Sequence, residues 1–163
     1  MFSGARWIRQ TTTLASNPDE IDVDTWVAFL YETTNLFKKM GSAMSVAFSD
    51  ITSKAKIISD NKESFLKETG KEKVTLQDLI EWDLERKVER LNGENNHSEL
   101  KSLKLPHDDY RQKYTSTART VLRNLWLLDF LNHFMGGIHE RREDKLSSIA
   151  KDAYHKGLGP HHS

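Results

Sequence analysis

The amino-acid sequence predicts an all-α protein. Apolar residues recur every three or four positions along most of the chain, which is typical of helices that bury one face. No stretch alternates apolar and polar residues for long enough to form a strand. Glycine, proline and asparagine fall between the periodic segments. A length of 163 residues suits one domain with a sizeable core.

The first helical stripe begins at Asp22, after a turn signal at residues 17–19. It runs toward Ile58, either as one long helix or as two helices broken at Gly41-Ser42. The apolar positions of this stripe are Val23, Trp26, Val27, Leu30, Phe37, Met44, Phe48 and Ile51.

Two further helices follow the first stripe. Asp60-Asn61 offers a cap for a short helix over residues 62–68, which Gly70 ends. Thr75 caps the next helix, because its hydroxyl can accept a hydrogen bond from the first turn. The stripe of that helix consists of Leu76, Leu79, Ile80, Leu84, Val88 and Leu91.

The most apolar helix follows a polar stretch, residues 92–107, which predicts a surface loop. This helix is entered at about Asp108 or Ser116, and Gly136-Gly137 ends it. Its core positions are predicted to be Val121, Leu122, Leu125, Trp126, Phe130 and Phe134.

The two ends of the chain complete the predicted organisation. A last helix covers residues 140–154, and residues 157–160 break it. Residues 1–21 lack an apolar core of their own and predict a flexible N-terminal tail rather than a secretory signal. The folded domain is therefore predicted over residues 22–163.

Composition excludes several functional classes. Lys plus Arg and Asp plus Glu each number 24, so no global charge attracts nucleic acid. The chain has no cysteine and no apolar run long enough to span a bilayer. It also lacks a H-E-x-x-H metal pattern, a Gly-rich phosphate loop and a G-x-S-x-G motif. We therefore expect a cytoplasmic protein that is not an enzyme and has no metal or cofactor.

Two pairs of charged residues have helical i, i+4 spacing. Arg119 and Arg123 would stack on one helix face, where their repulsion favours an anion such as phosphate between them. Asp50 and Lys54 would place an acceptor and a cation at the edge of the first stripe. The alternative for both pairs is an ordinary exposed position, with two solvated arginines and a surface ion pair.

These residues belong to an ordered series of motifs that resembles the glycolipid transfer protein superfamily. The D-x-x-x-K pattern of Asp50 and Lys54, with the R-T-V-L-R run of residues 119–123, is most similar to its ceramide-1-phosphate branch. In the glycosphingolipid branch a tryptophan would replace Arg123. The motifs lie at residues 49–54, 75–77, 119–123 and 153–154, and at Leu158 and His162.

The resemblance implies a two-layer all-α sandwich that encloses sphingolipid chains and transfers the lipid between membranes through transient surface contact. It implies that Asp50 accepts from the ceramide amide N–H and that His162 donates to the amide carbonyl. Lys54, Arg119 and Arg123 would bind the phosphate of ceramide-1-phosphate or a related phosphorylated sphingolipid.

The family continues past this histidine with further helices that close the sandwich, whereas this chain stops at Ser163. We therefore expect a domain that lacks the closing helices, exposes apolar surface and transfers weakly. A lipid sensor or interaction protein that uses the same head-group site is the alternative function. An enzyme acting on a phosphorylated lipid is a third, although no candidate nucleophile supports it.

Overall fold

The computed structural model describes residue 16 and residues 20–38, 45–93, 100, 105–106, 108–141 and 143–161, with only the backbone at 36 and 45–48. The helices are α1 (Val23–Lys38), α2 (Ser45–Thr69), α3 (Leu76–Glu85), α4 (Thr117–Glu140) and α5 (Leu146–Gly157). Apart from two isolated bridges, the described residues contain no β-structure. The predicted all-α class is confirmed. The tail predicted over residues 1–21 and the break predicted at Gly41-Ser42 lie almost entirely outside the described residues.

Helices α1 and α2 pack against each other. Asp22 begins α1, because its Oδ1 accepts from the backbone N–H of Thr25 at 2.8 Å. The facing surfaces are apolar, as the spacing predicts. Their fully buried members include Val23, Leu30 and Phe37 on α1, and Ile51, Ala55 and Ile58 on α2.

Helix α2 is continuous, so the predicted cap at Asp60-Asn61 is wrong. Asn61 instead uses its side chain for tertiary contacts: Nδ2 donates to the carbonyl oxygen of Thr115 and to Oγ1 of Thr117, both at 2.9 Å. Gly70 ends the helix as predicted. Its φ of +67° is a left-handed conformation that glycine adopts without strain.

Helix α3 begins as predicted, with Thr75 as its cap. Thr75 Oγ1 accepts from the backbone N–H of Asp78 at 3.1 Å, and Asp78 Oδ2 accepts from the N–H of Thr75 at 2.9 Å. This reciprocal capping box satisfies two backbone donors that a helix start leaves free.

Helix α3 ends at Glu85, earlier than the predicted stripe. Lys87 has a φ of 56°, so the chain turns away before Val88 and Leu91, which are buried beyond the helix. Leu84 is exposed rather than part of the stripe. The apolar residues were identified, but a turn follows Glu85 and rotates the later ones out of helical spacing.

Helix α4 begins after Ser116, whose Oγ accepts from the backbone N–H of Arg119 at 3.1 Å. The predicted start at Ser116 is confirmed, whereas the alternative start at Asp108 is wrong. Instead, Asp109 caps a separate short 3₁₀ turn, Tyr110–Gln112. Most of the loop predicted over residues 92–107 lies outside the described residues.

Helix α4 runs through Gly136 and Gly137 to Glu140, so the predicted end at this glycine pair is wrong. A Cβ on Gly137 would lie 2.6 Å from Cγ2 of Ile149 on α5. Glycine is required here by the close approach of the two helices and not by a turn.

The predicted core face of α4 is partly wrong. Leu122 and Leu125 are 46% and 50% exposed, and Trp126 is half-buried. Successive helical residues are about 100° apart, so a core face displaced by one or two positions exposes these side chains. The buried face of α4 instead consists of Thr117, Thr120, Val121, Asn124, Leu127, Phe130, Leu131 and Phe134.

The chain divides into two compact units, residues 1–120 and 121–163. The first contains α1, α2, α3 and the first turn of α4. The second contains the rest of α4 and α5, whose start at Leu146 is later than the predicted residue 140. Helix α5 ends at Gly157, three residues after the predicted end at residue 154 and at the first residue of the predicted break, 157–160. A short 3₁₀ turn, Gly159–His161, follows.

Candidate functional site

Asp50 and Lys54 lie one turn apart on α2 and are bonded to each other, with Lys54 Nζ donating to Asp50 Oδ2. Their exposure differs: 56% of the Asp50 side chain and 10% of the Lys54 side chain are accessible to solvent. The pair is therefore not an ordinary surface ion pair, because its cation is largely removed from water.

Lys54 is buried because it lies on the core face of α2. Ile51, Ala55 and Ile58, which share that face, are fully buried. An ammonium group in such a place needs anionic or polar partners, since water solvates it poorly. Asp50 provides one, and an ammonium group has three donors.

Arg119 and Arg123 lie one turn apart near the start of α4, as predicted. Both residues are half-buried, so neither is the fully solvated surface arginine of the alternative interpretation. Arg119 Nη1 donates weakly to the carbonyl oxygen of Arg90, at 3.4 Å. Arg119 Nε is buried and has no hydrogen-bond partner within the described part of the chain.

His162 lies outside the described residues, so its predicted contact stays a prediction. The preceding residue, His161, stacks its ring on Trp126 of α4, with 4.3 Å between the ring centroids and 2° between the planes. Trp126 follows Arg123 by three positions, which is nearly one helical turn.

A buried carboxylate, Asp83, anchors the start of α4. Its Oδ1 accepts from the hydroxyl of Tyr114 at 2.5 Å. Its Oδ2 accepts from Ser116 Oγ and from the backbone N–H of Ala118, both at 2.9 Å. Burial, together with the nearby charge of Asp83, raises the pKa of Tyr114 well above its ordinary value. Asp83 thereby fixes the segment that leads directly to Arg119.

Sequence reasoning missed Asp83 and assigned Asn61 to a helix cap, although both residues position the start of α4. One signal could have identified them: each is a polar residue on an otherwise apolar helix face. Asp83 follows Leu79 by four positions, and Asn61 follows Ile58 by three. Lys54 has the same signature on α2.

The second unit contains an open groove of about 500 Å³ between α4 and α5. Its lining is mainly polar and includes His133, Glu140, Asp152 and Lys156. None of the four predicted lipid-binding residues that the structure describes, Asp50, Lys54, Arg119 and Arg123, lines it. Nothing in its lining corresponds to the apolar sleeve that an acyl chain requires.

The described residues contain neither a candidate metal site nor a candidate membrane-spanning helix. No three or more His, Asp or Glu side chains come together there in a way that could hold a metal ion. None of the described helices combines the length and the apolar composition that crossing a bilayer requires.

Comparison with known proteins gives two matches of different breadth. The family model described as Glycolipid transfer protein matches residues 21–163. A ceramide-1-phosphate transfer protein from Danio rerio is 27% identical over 163 residues, which cover 99% of this chain and 68% of that protein. No solved structure matches the chain.

Proposed function

Because the chain belongs to the glycolipid transfer protein family, we propose that it carries ceramide-1-phosphate, or a related phosphorylated sphingolipid, between membranes. It would act in the cytoplasm, touch membrane surfaces transiently and catalyse no reaction. The similarity to a ceramide-1-phosphate transfer protein supports this ligand.

The observation that carries the proposal is the unpaired donor of Arg119. A buried guanidinium N–H without an acceptor is costly, and buried polar groups are nearly always hydrogen-bonded. A phosphate would satisfy Nε and a neighbouring Nη together, with one oxygen accepting from each, since guanidinium matches phosphate in a bidentate arrangement. An anionic ligand therefore accounts for an arginine that the described part of the protein leaves incompletely bonded.

The other head-group residues take the roles that the resemblance implies. Lys54 and Arg123 join Arg119 in binding the phosphate. The negative charge of the phosphate offsets the mutual repulsion of these three positive charges. Asp50 accepts from the amide N–H of the ceramide, and His162 donates to the amide carbonyl. Binding requires no covalent bond to be made or broken, so the lipid is released chemically unchanged.

The test is a paired set of substitutions on α2 and near the start of α4. Asp50→Val and Arg119→Leu should each weaken ceramide-1-phosphate binding at least tenfold, because a charged hydrogen bond contributes about 1.5–3 kcal/mol. Asp60→Val is the matched control for the first, since Asp60 forms an exposed i, i+4 pair with Lys56. Arg90→Leu, which removes an exposed side chain, is the control for the second.

Binding is measured by tryptophan fluorescence, and transfer by the movement of fluorescent ceramide-1-phosphate from donor to acceptor vesicles. Wild-type affinity in Asp50→Val or Arg119→Leu would contradict the proposed site. Tight binding without transfer would identify a lipid sensor instead of a carrier. A change in the mass of the lipid after incubation would identify an enzyme.

A further inference from the structure

Asn124 is a polar residue at the centre of the buried face of α4. Its exposed fraction is 0%, and neither Nδ2 nor Oδ1 has a hydrogen-bond partner among the described residues. The two other buried polar residues of α4 are bonded. Thr117 Oγ1 accepts from Asn61 at 2.9 Å, and Thr120 Oγ1 donates to the carbonyl oxygen of Ser116 at 2.7 Å.

An unpaired amide is unfavourable at this position. Val121 and Leu127 precede and follow Asn124 by one helical turn on the same face, and both are buried. An apolar side chain would continue this stripe without leaving buried polar atoms unbonded. Asn124 therefore indicates that a group outside the described chain bonds to it.

The position of Asn124 indicates which ligand that group belongs to. It immediately follows Arg123 and lies five residues after Arg119, so it belongs to the same two turns of α4 as the phosphate-binding arginines. An asparagine side chain offers one acceptor and two donors. Next to the phosphate, a phosphorylated sphingolipid carries two donors: an amide N–H, from which Asp50 accepts in the proposed site, and a hydroxyl, which can donate to Oδ1 of Asn124.

We propose that Asn124 is a specificity residue that accepts a hydrogen bond from the sphingoid backbone of the bound lipid. This inference rests on the proposed function. Phosphatidic acid has the same phosphomonoester, but its two ester groups contain no donor. With phosphatidic acid bound, Oδ1 of Asn124 stays unpaired, and a site built to bond a donor rejects a ligand that lacks one.

The experiment compares two lipids and two properties in Asn124→Leu and Asn124→Ala. Affinities for ceramide-1-phosphate and for phosphatidic acid with the same chain lengths are measured by tryptophan fluorescence. Melting temperatures are measured without lipid. Asn132→Leu is the matched control, since Asn132 is exposed on the same helix.

Asn124→Leu should bind ceramide-1-phosphate about tenfold more weakly, which is the effect of one lost hydrogen bond. It should bind phosphatidic acid within about twofold of wild type, and its melting temperature without lipid should be unchanged or raised, because unpaired polar atoms are removed. Asn124→Ala should show the same loss of affinity even where its cavity lowers the melting temperature.

Two outcomes would overturn the inference. One is equal weakening for both lipids. The other is a lowered melting temperature in Asn124→Leu with unchanged affinity for ceramide-1-phosphate, which would mean that the amide bonds to the protein or to buried water. If the wild-type protein does not bind ceramide-1-phosphate, the proposed function fails first, and that measurement alone reveals it.

Discussion

At the scale of single residues, the hydrogen bond from Tyr114 to Asp83 carries a stability prediction. Tyr114→Phe removes one of three donors from a fully buried carboxylate. We expect it to lower the free energy of unfolding at pH 7 by about 1–3 kcal/mol, because a buried acceptor is left short of a partner. Urea denaturation measures this change, and Tyr154→Phe, at an exposed position, is the control.

The same tyrosine gives the stability a defined pH dependence. The pKa of Tyr114 is raised in the folded protein, so its stabilising contribution is complete below its ordinary pKa of 10.0 and is lost as the pH rises above that value. Phenylalanine cannot titrate. The stability difference between wild type and Tyr114→Phe should therefore shrink above pH 10.0, and a constant difference would contradict the raised pKa.

Arg123 carries a prediction about lipid selectivity. Arg123→Trp replaces a half-buried cation with an aromatic surface that can stack on a sugar ring. We expect weaker binding of ceramide-1-phosphate, by roughly tenfold or more. The prediction does not require a gain of glycolipid binding, because the other two cations of the site, Lys54 and Arg119, remain. Titration with both lipids measures the effect, and unchanged affinity for ceramide-1-phosphate would exclude Arg123 from the phosphate site.

The residue scale also shows where sequence reasoning stopped. The charged pairs at i, i+4 could be identified, because helical spacing alone brings their members together. The bonding partners of Asp83 and Asn61 could not be identified, because they lie 31–35 and 54–56 residues further along the chain. Periodicity shows that such residues lie on an apolar face, but not which segment bonds them.

At the scale of helices, ends were predictable where one residue determines them. Gly70 adopts a left-handed conformation, and Thr75 has its capping partner three residues away, so local sequence was sufficient. The helix ends predicted at Asn61 and at the Gly136-Gly137 pair were wrong, because residues that can end a helix can also serve tertiary packing. Only the packed structure distinguishes the two uses.

Alanine substitutions at the two adjacent glycines of α4 should change the stability of the protein in opposite directions. A Cβ on Gly136 meets no atom within 4 Å, so Gly136→Ala should stabilise the protein by about 0.5–1 kcal/mol through helix propensity. Gly137→Ala should destabilise it, since its Cβ would meet Cγ2 of Ile149 at 2.6 Å. Thermal unfolding compares the two variants, and Ile149→Ala should partly relieve Gly137→Ala. Equal effects of the two glycine substitutions would contradict the close contact.

At the scale of the whole molecule, net charge bears on the membrane encounter. With 24 basic and 24 acidic residues, the chain has no long-range attraction to anionic lipid. We expect sedimentation with phosphatidylserine vesicles to be as weak as with phosphatidylcholine, and to change little between about 0.1 and 1 M salt. Vesicles that contain ceramide-1-phosphate are the positive control. Strong, salt-sensitive binding to phosphatidylserine would instead reveal a local basic surface.

The class of the fold and the family were accessible from the sequence, because helical periodicity and motif order are properties of the chain itself. The two-layer arrangement and the convergence of Asp50, Lys54, Arg119, Arg123 and His162 depend on packing between distant segments. Both therefore stay predictions, and the lipid-binding variants test the convergence of these residues.

The glycines of the second unit have one more consequence. Gly137 lies against Ile149, and Gly157 lies so close to Phe130 that a Cβ would come within 2.5 Å of its backbone. The two contacts are about two turns apart on each helix, so they define a single antiparallel register. If α5 slid along α4 by one turn, a side chain larger than glycine would have to fit at each of these two contacts. The fit of small against large residues thus sets the alignment of α4 and α5. We therefore expect insertions in the connection at residues 141–145 to leave this alignment unchanged.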